Sequence, residues 1–135
     1  HQLALPVLFY SPWQYLFWYG KPDMFPDRRE IEFWKGLPTV WDETRVLSGS
    51  PGESAVMVRR KGETWYVGGI TNTEARTLAM ECGFLPSGKK YRAMVYEDDG
   101  KGGVKKREER VTAGSRLTAT LLPSGGVAVR IEPVP

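Results

Sequence analysis

Hydrophobic positions follow two different rules along this chain. The first 19 residues, HQLALPVLFYSPWQYLFWY, contain no Asp, Glu, Lys or Arg, and the first charged side chain is Lys21. Residues 2–10 read as a helix, with Pro6 tolerated only near a first turn. Ser11-Pro12 reads as an N-cap followed by proline at the first helical position, and Gly20 stops the helix that begins there. Together these predict helix over much of 2–19. Asp27 with Glu30 resembles a capping box and opens a short helix over 28–35, with Ile31 and Trp34 on one face. Leu37-Pro38 then leads into Thr39-Val40-Trp41, which reads as a buried strand.

From residue 53 the period becomes two. Val56 and Val58 alternate, Lys61-Gly62 turns the chain, and TWYVGGIT returns as a hairpin partner. Leu78, Met80, Cys82 and Phe84 alternate next, then Tyr91, Ala93 and Val95. VKKREERV is polar throughout and suits a sheet edge. Leu117, Ala119 and Leu121 precede a turn at 123–126, and Val127, Val129 and Ile131 close the pattern. The expectation is a seven- or eight-stranded antiparallel sandwich, with no long helix after residue 53.

Composition sharpens the division. Of 16 aromatic residues, 11 lie at or before Trp41, including four of the five tryptophans. Burying one large apolar side chain is worth roughly 1.5–3 kcal/mol, so the N-terminal segment must pack against something. Leu8, Phe9, Leu16 and Phe17 are the side chains expected to be most buried. A symmetric dimer through this segment is the expected cover, with the chain's own sandwich as the other candidate. A membrane span is disfavoured because Pro6, Ser11-Pro12 and Gln14 interrupt the apolar run. The chain reads as a piece of a larger protein.

Charge and rare residues exclude several chemistries. The net charge of +3 is too diffuse to argue for nucleic acid. Cys82 stands alone, so no intrachain disulfide exists, and its apolar neighbours suit a buried, inert thiol. His1 is the only histidine, which removes a histidine-based triad or a two-histidine metal site. Glu97-Asp98-Asp99 lacks the spacing of a calcium loop and reads as a solvated turn.

Trp41 and Asp42 are the substrate-near candidates. A helix, helix, buried strand and all-β module in that order suits the last unit of an α/β barrel running into a C-terminal sandwich. Barrel strands present functional groups at their C-terminal ends, and a ring beside a carboxylate suits a sugar. Glycoside hydrolysis needs two carboxyl groups flanking one bond. Asp42 and Glu43, being adjacent on a strand, point apart and do not supply that pair. The bland alternative for Asp42 is a structural cap or an ion pair to Arg45. Of Trp65 and Tyr66, adjacent as well, one is expected to face the core and the other solvent.

The runs LALPVLFYSPWQYLFWY, EFWKGLPTVWDETRVLSG and GESAVMVRRKGETWYVGGITNTEARTL, with GKKYRAMVYEDD and LLPSGGVAVRIEP, resemble the C-terminal part of glycoside hydrolase family 97. The resemblance covers essentially the whole chain, and PTVWDET with RRKGETWYVGGI carries it most specifically. It implies a bacterial exo-acting α-glucosidase or α-galactosidase, inverting or retaining, working in the periplasm or cell envelope. It implies residues 1–48 as the end of a (β/α)8 barrel and 49–135 as a C-terminal β-sandwich associated with oligomerisation. The family's catalytic carboxylates and calcium-binding glutamates lie on the barrel, before the part seen here, and no position of this chain matches them. The implied cofactor of this part is therefore none, with Ca2+ in the barrel. The implied partners are a second copy and the rest of the enzyme, with oligosaccharide engaged only through the latter. An autonomous carbohydrate-binding or protein-interaction module is the competing expectation.

Overall fold

The computed structural model describes residues 1–11, 13, 20–24 and 28–135. A single helical turn, α1 (Leu5–Leu8), is followed by a 3-10 turn (Pro22–Met24) and α2 (Arg29–Lys35). Eight strands follow: β1 (Glu43–Ser50), β2 (Ser54–Lys61), β3 (Thr64–Thr71), β4 (Arg76–Glu81), β5 (Tyr91–Asp98), β6 (Val104–Val111), β7 (Arg116–Leu121) and β8 (Gly126–Pro133). Six of them form one sheet in the order β1-β2-β3-β8-β5-β6, and β4 pairs with β7 in a second. Every pairing is antiparallel. The mainly β, antiparallel sandwich expected from the period-two runs is present.

The smaller sheet covers one face of the larger. β7 alternates exposed and buried side chains without a break, sending Leu117, Ala119 and Leu121 inward. They meet Val58, Val67, Val95 and Val129 of the six-stranded sheet in the main core. β3 and β8 behave differently, with buried residues in succession on both faces. Such runs mark a sheet covered on both sides.

The second cover is the N-terminal segment. Leu3, Val7 and Phe33 pack with Tyr66, Met94, Tyr96 and Ala128 in a separate cluster on the outer face of the large sheet. Phe33 is fully buried, edge-on to Tyr96 at 5.3 Å and to Tyr66 at 6.3 Å between ring centroids. α1 reaches the sheet because β3 has glycine at 68. A Cβ there would lie 2.7 Å from the Ala4 carbonyl oxygen and 2.9 Å from Val7 Cβ. The chain is thus three layers: N-terminal segment, six-stranded sheet, two-stranded sheet.

Several expectations shift in detail. The helix expected over 2–10 is one turn, because Pro6 donates no backbone hydrogen bond and Phe9 turns extended. Leu3, Ala4, Pro6 and Val7 are the buried residues; Leu8 is half-buried and Phe9 is 53% exposed. Leu16, Phe17, the expected helix after Ser11 and the Asp27 cap lie outside the described residues. The strand expected at Thr39–Trp41 begins instead at Glu43, after a bend that leaves Val40 exposed. β1 spans residue 48 and pairs with β2 from Glu43 to Ser50. Among the described residues, no helix is long and apolar enough to cross a membrane.

Candidate functional site

Trp41 and Asp42 sit where the chain leaves the N-terminal layer and enters β1, and they diverge. The Trp41 ring turns to the outer face, where it meets Tyr66 edge-on at 5.2 Å. The guanidinium carbon of Arg59 lies 5.5 Å from its centroid. Asp42 turns to the β2–β3 hairpin. Its backbone N–H donates to the Arg60 carbonyl at 2.8 Å, registering the start of β1 against β2. Its carboxylate accepts from the Gly62 amide at 2.8 Å and from Lys61 Nζ at 3.2 Å. Gly62 has φ of +60°, the left-handed conformation that the two-residue turn requires. The Gly62 hydrogen bond, and then the Lys61 ammonium, hold the Asp42 carboxyl below the usual carboxylate range. Asp42 therefore caps a turn, and its exposed carboxylate stays ionised.

Glu43 points into a groove of about 410 Å³ at the same end of the sandwich. Arg60, Trp65, Phe84 and Tyr91 also line it. The combination of rings and charges has the ingredients of a sugar site, but its geometry differs. Trp65 and Phe84 pack on each other at 5.2 Å and are buried, and Arg60 lies over the Trp65 ring at 5.6 Å. No ring face is left open as a stacking platform there. Glu43 is hydrogen-bonded by Arg45 and by Arg60 Nε at 3.2 Å, and the Arg45 bond foremost holds its carboxyl down. At the rim Glu63 is paired with Lys89 at 3.2 Å. A general acid needs a carboxyl that keeps its proton near neutrality. In the groove Glu43 is held in the opposite state.

The remaining carboxylates singled out by sequence go separate ways. Glu97 is buried and takes Arg107 at 3.0 Å and Lys105 at 3.4 Å. Asp98 Oδ2 accepts from the Gly126 amide at 3.2 Å. Asp99 closes its own loop by accepting from the Lys101 and Gly103 amides at 2.7 and 2.9 Å. Among the described residues, no three His, Cys, Asp or Glu side chains converge as metal ligands. Cys82 is fully buried, and burial pushes its thiol pKa up. The charged β6 occupies a sheet edge, as its pattern suggested.

Trp65 and Tyr66 depart from expectation: neither faces solvent, because the N-terminal layer covers the outer face on which Tyr66 lies. Arg59 was not marked by any sequence pattern. It is 3% exposed, and its Nε has no hydrogen-bond partner among the described residues.

Comparison with known proteins bears on these features. The family model described as the glycosyl-hydrolase 97 C-terminal, oligomerisation domain matches residues 40–132. A retaining α-galactosidase of Bacteroides thetaiotaomicron is 38% identical over 97% of this chain, which spans 20% of that protein. A glycoside hydrolase family 97 enzyme from Pseudoalteromonas sp. strain K8, solved with acarbose, superimposes with a TM-score of 0.74 at 31% identity. That match covers 78% of this chain and 18% of that one. A β-arabinopyranosidase structure gives a TM-score of 0.82 at 28% identity, over 96% of this chain and 20% of the other. The chain spans about a fifth of the length of the curated relatives it matches.

Proposed function

Because the chain belongs to the glycosyl-hydrolase 97 C-terminal family, we propose that it is the non-catalytic C-terminal region of a family 97 α-galactosidase or α-glucosidase, bracing the rest of the enzyme and associating with a second copy. The observation that carries the reading is the state of the carboxylates beside the match to an oligomerisation domain. Asp42, Glu43, Glu97 and Asp99 are each committed to a turn or an ion pair. Glycoside hydrolysis needs one carboxyl group that donates a proton and a second that acts as base or nucleophile. In this reading both, and any calcium ion, come from the part of the enzyme that precedes this chain.

The N-terminal layer supports the bracing role. Val7 and Phe33 of that layer pack against Tyr66 on the outer face of the sandwich. The buried rings of the Glu43 groove favour this role over an autonomous carbohydrate-binding module.

Two assays on the pure chain test the non-catalytic half of the proposal. Aryl α-galactoside and α-glucoside should be hydrolysed no faster than in a blank, and calorimetry should show no saturable heat with maltose- or galactose-type oligosaccharides. Turnover above the blank would refute the reading. Saturable binding would favour the module.

A further inference from the structure

The six-stranded sheet ends in β1 on one side and β6 on the other, and the two edges differ in chemistry. β6 carries six consecutive charged residues, Lys105 to Arg110. Lys106 reaches Glu32 of α2 at 2.6 Å, and Arg107 holds the buried Glu97. Lysine-rich edges of this kind resist pairing with another chain. β1 has charges only at its start, where Glu43 and Arg45 bond each other. From Val46 to Ser50 it has none. Val46 is 69% exposed, beside Met57 on the outer-face side of the edge. Alternation along the strand sends Leu47 toward the main core and leaves Val46 outside, and the register shifts between Val46 and Ser48.

We propose that β1 is the surface on which a second copy docks, edge to edge and antiparallel, joining two six-stranded sheets across a two-fold axis near Val46. This inference rests on the self-association reading and names its surface. Isologous pairing places a patch against its equal. With the axis at Val46, that residue meets its own copy, Arg45 falls opposite Leu47 of the second copy, and Glu43 falls opposite Gly49. No like charges are brought directly opposite, which would disfavour the pair. The edge ends beside an open groove of about 560 Å³ lined by residues including Pro51, Gly52, Ala55 and Ile70.

The test is sedimentation equilibrium of the 135-residue chain and of Val46→Lys. As Val46 is exposed, the variant should melt as the parent does, while its dimer dissociation constant rises at least about tenfold, as expected for losing a central contact. Val46→Leu should keep the dimer. Phe9→Ser and Trp13→Ser, on the exposed aromatic part of the N-terminal segment, should leave it intact. Dimers that survive Val46→Lys but dissociate in the aromatic variants would overturn the β1 surface while leaving self-association standing. A wild-type chain that is monomeric throughout would remove both. Amide hydrogen exchange gives a second readout on the unmodified chain. Residues 44–49 should become slower to exchange as concentration rises, and an unchanged β1 in a proven dimer would also overturn the proposal.

Discussion

The Tyr66 hydroxyl donates to the Gly36 carbonyl oxygen at 2.7 Å. Gly36 is the C-cap of α2 and Tyr66 lies at the middle of the sandwich's outer face, so this one bond ties the end of the helix to the sheet. The ring below the hydroxyl contacts both Phe33 and Trp41. Removing only the hydroxyl should test the tie without disturbing the packing. Tyr66→Phe is expected to cost about 1 kcal/mol, the net worth of one hydrogen bond whose carbonyl partner loses its donor. Denaturant titration would read this as a lower midpoint at unchanged slope. Tryptophan emission, through Trp34 and Trp41, should shift with it.

Gly68 is a position where space alone decides. Gly68→Ala places a methyl against the Ala4 carbonyl and Val7, and α1 must lift from β3. Overpacking of this kind costs typically about 1–3 kcal/mol. Gly83→Ala is the control, since nothing lies within 4 Å of its added carbon. Melting curves should separate the two, with the loss confined to Gly68→Ala.

Stability should fall at both ends of the pH scale, for opposite reasons. Burial raises the pKa of Tyr66 and of Tyr96 above the usual 10.0. The folded chain therefore keeps phenolic protons that the unfolded chain releases, and the stability it gains below pH 10 is lost as pH rises past that value. Asp42 and Glu43 are held below 3.8 and 4.5. Their contribution is present above those values and disappears as pH drops through the lower folded pKa values. Melting temperature followed from neutral to alkaline pH should show a weaker alkaline decline in Tyr66→Phe. Asp42→Asn should flatten the acid limb. Unchanged limbs in both variants would contradict the assignments.

Arg59 carries a different expectation. Its guanidinium is buried, and burial pulls its pKa down. Its one described contact is the face of Trp41. No carboxylate among the described residues pairs with it; a buried charge without a counter-charge is costly, and apolar replacements of similar volume are often neutral or stabilising. Arg59→Met is therefore expected to melt no lower than the parent, and thermal unfolding by circular dichroism would check it.

How far the sequence disclosed this architecture depends on burial. β7 and β4 were legible because each has one wet face, so Leu117, Ala119, Leu121, Leu78 and Met80 alternate with polar residues. β6 was legible as an edge for the converse reason, its unbroken charge. β1 left no such trace, since a strand exposed on most of its length needs no apolar period. The outer cover was encoded in Tyr66, Gly68, Met94, Tyr96 and Ala128, whose apolar or small side chains fill the positions between core residues of β3, β5 and β8. Such continuous runs say that both faces are covered without saying by what. Asp42 was readable as a carboxylate after an aromatic, but its role depends on a turn 20 residues away. Only the β1–β2 register brings the two together.

The mass of the chain in solution tests the functional account most directly. Light scattering across a dilution series should give about 30 kDa at high concentration, twice the 15.2 kDa chain as an isologous pair requires, falling toward the single-chain mass on dilution. A mass of 15.2 kDa at every concentration, from a chain that is folded by circular dichroism, would contradict self-association through this domain.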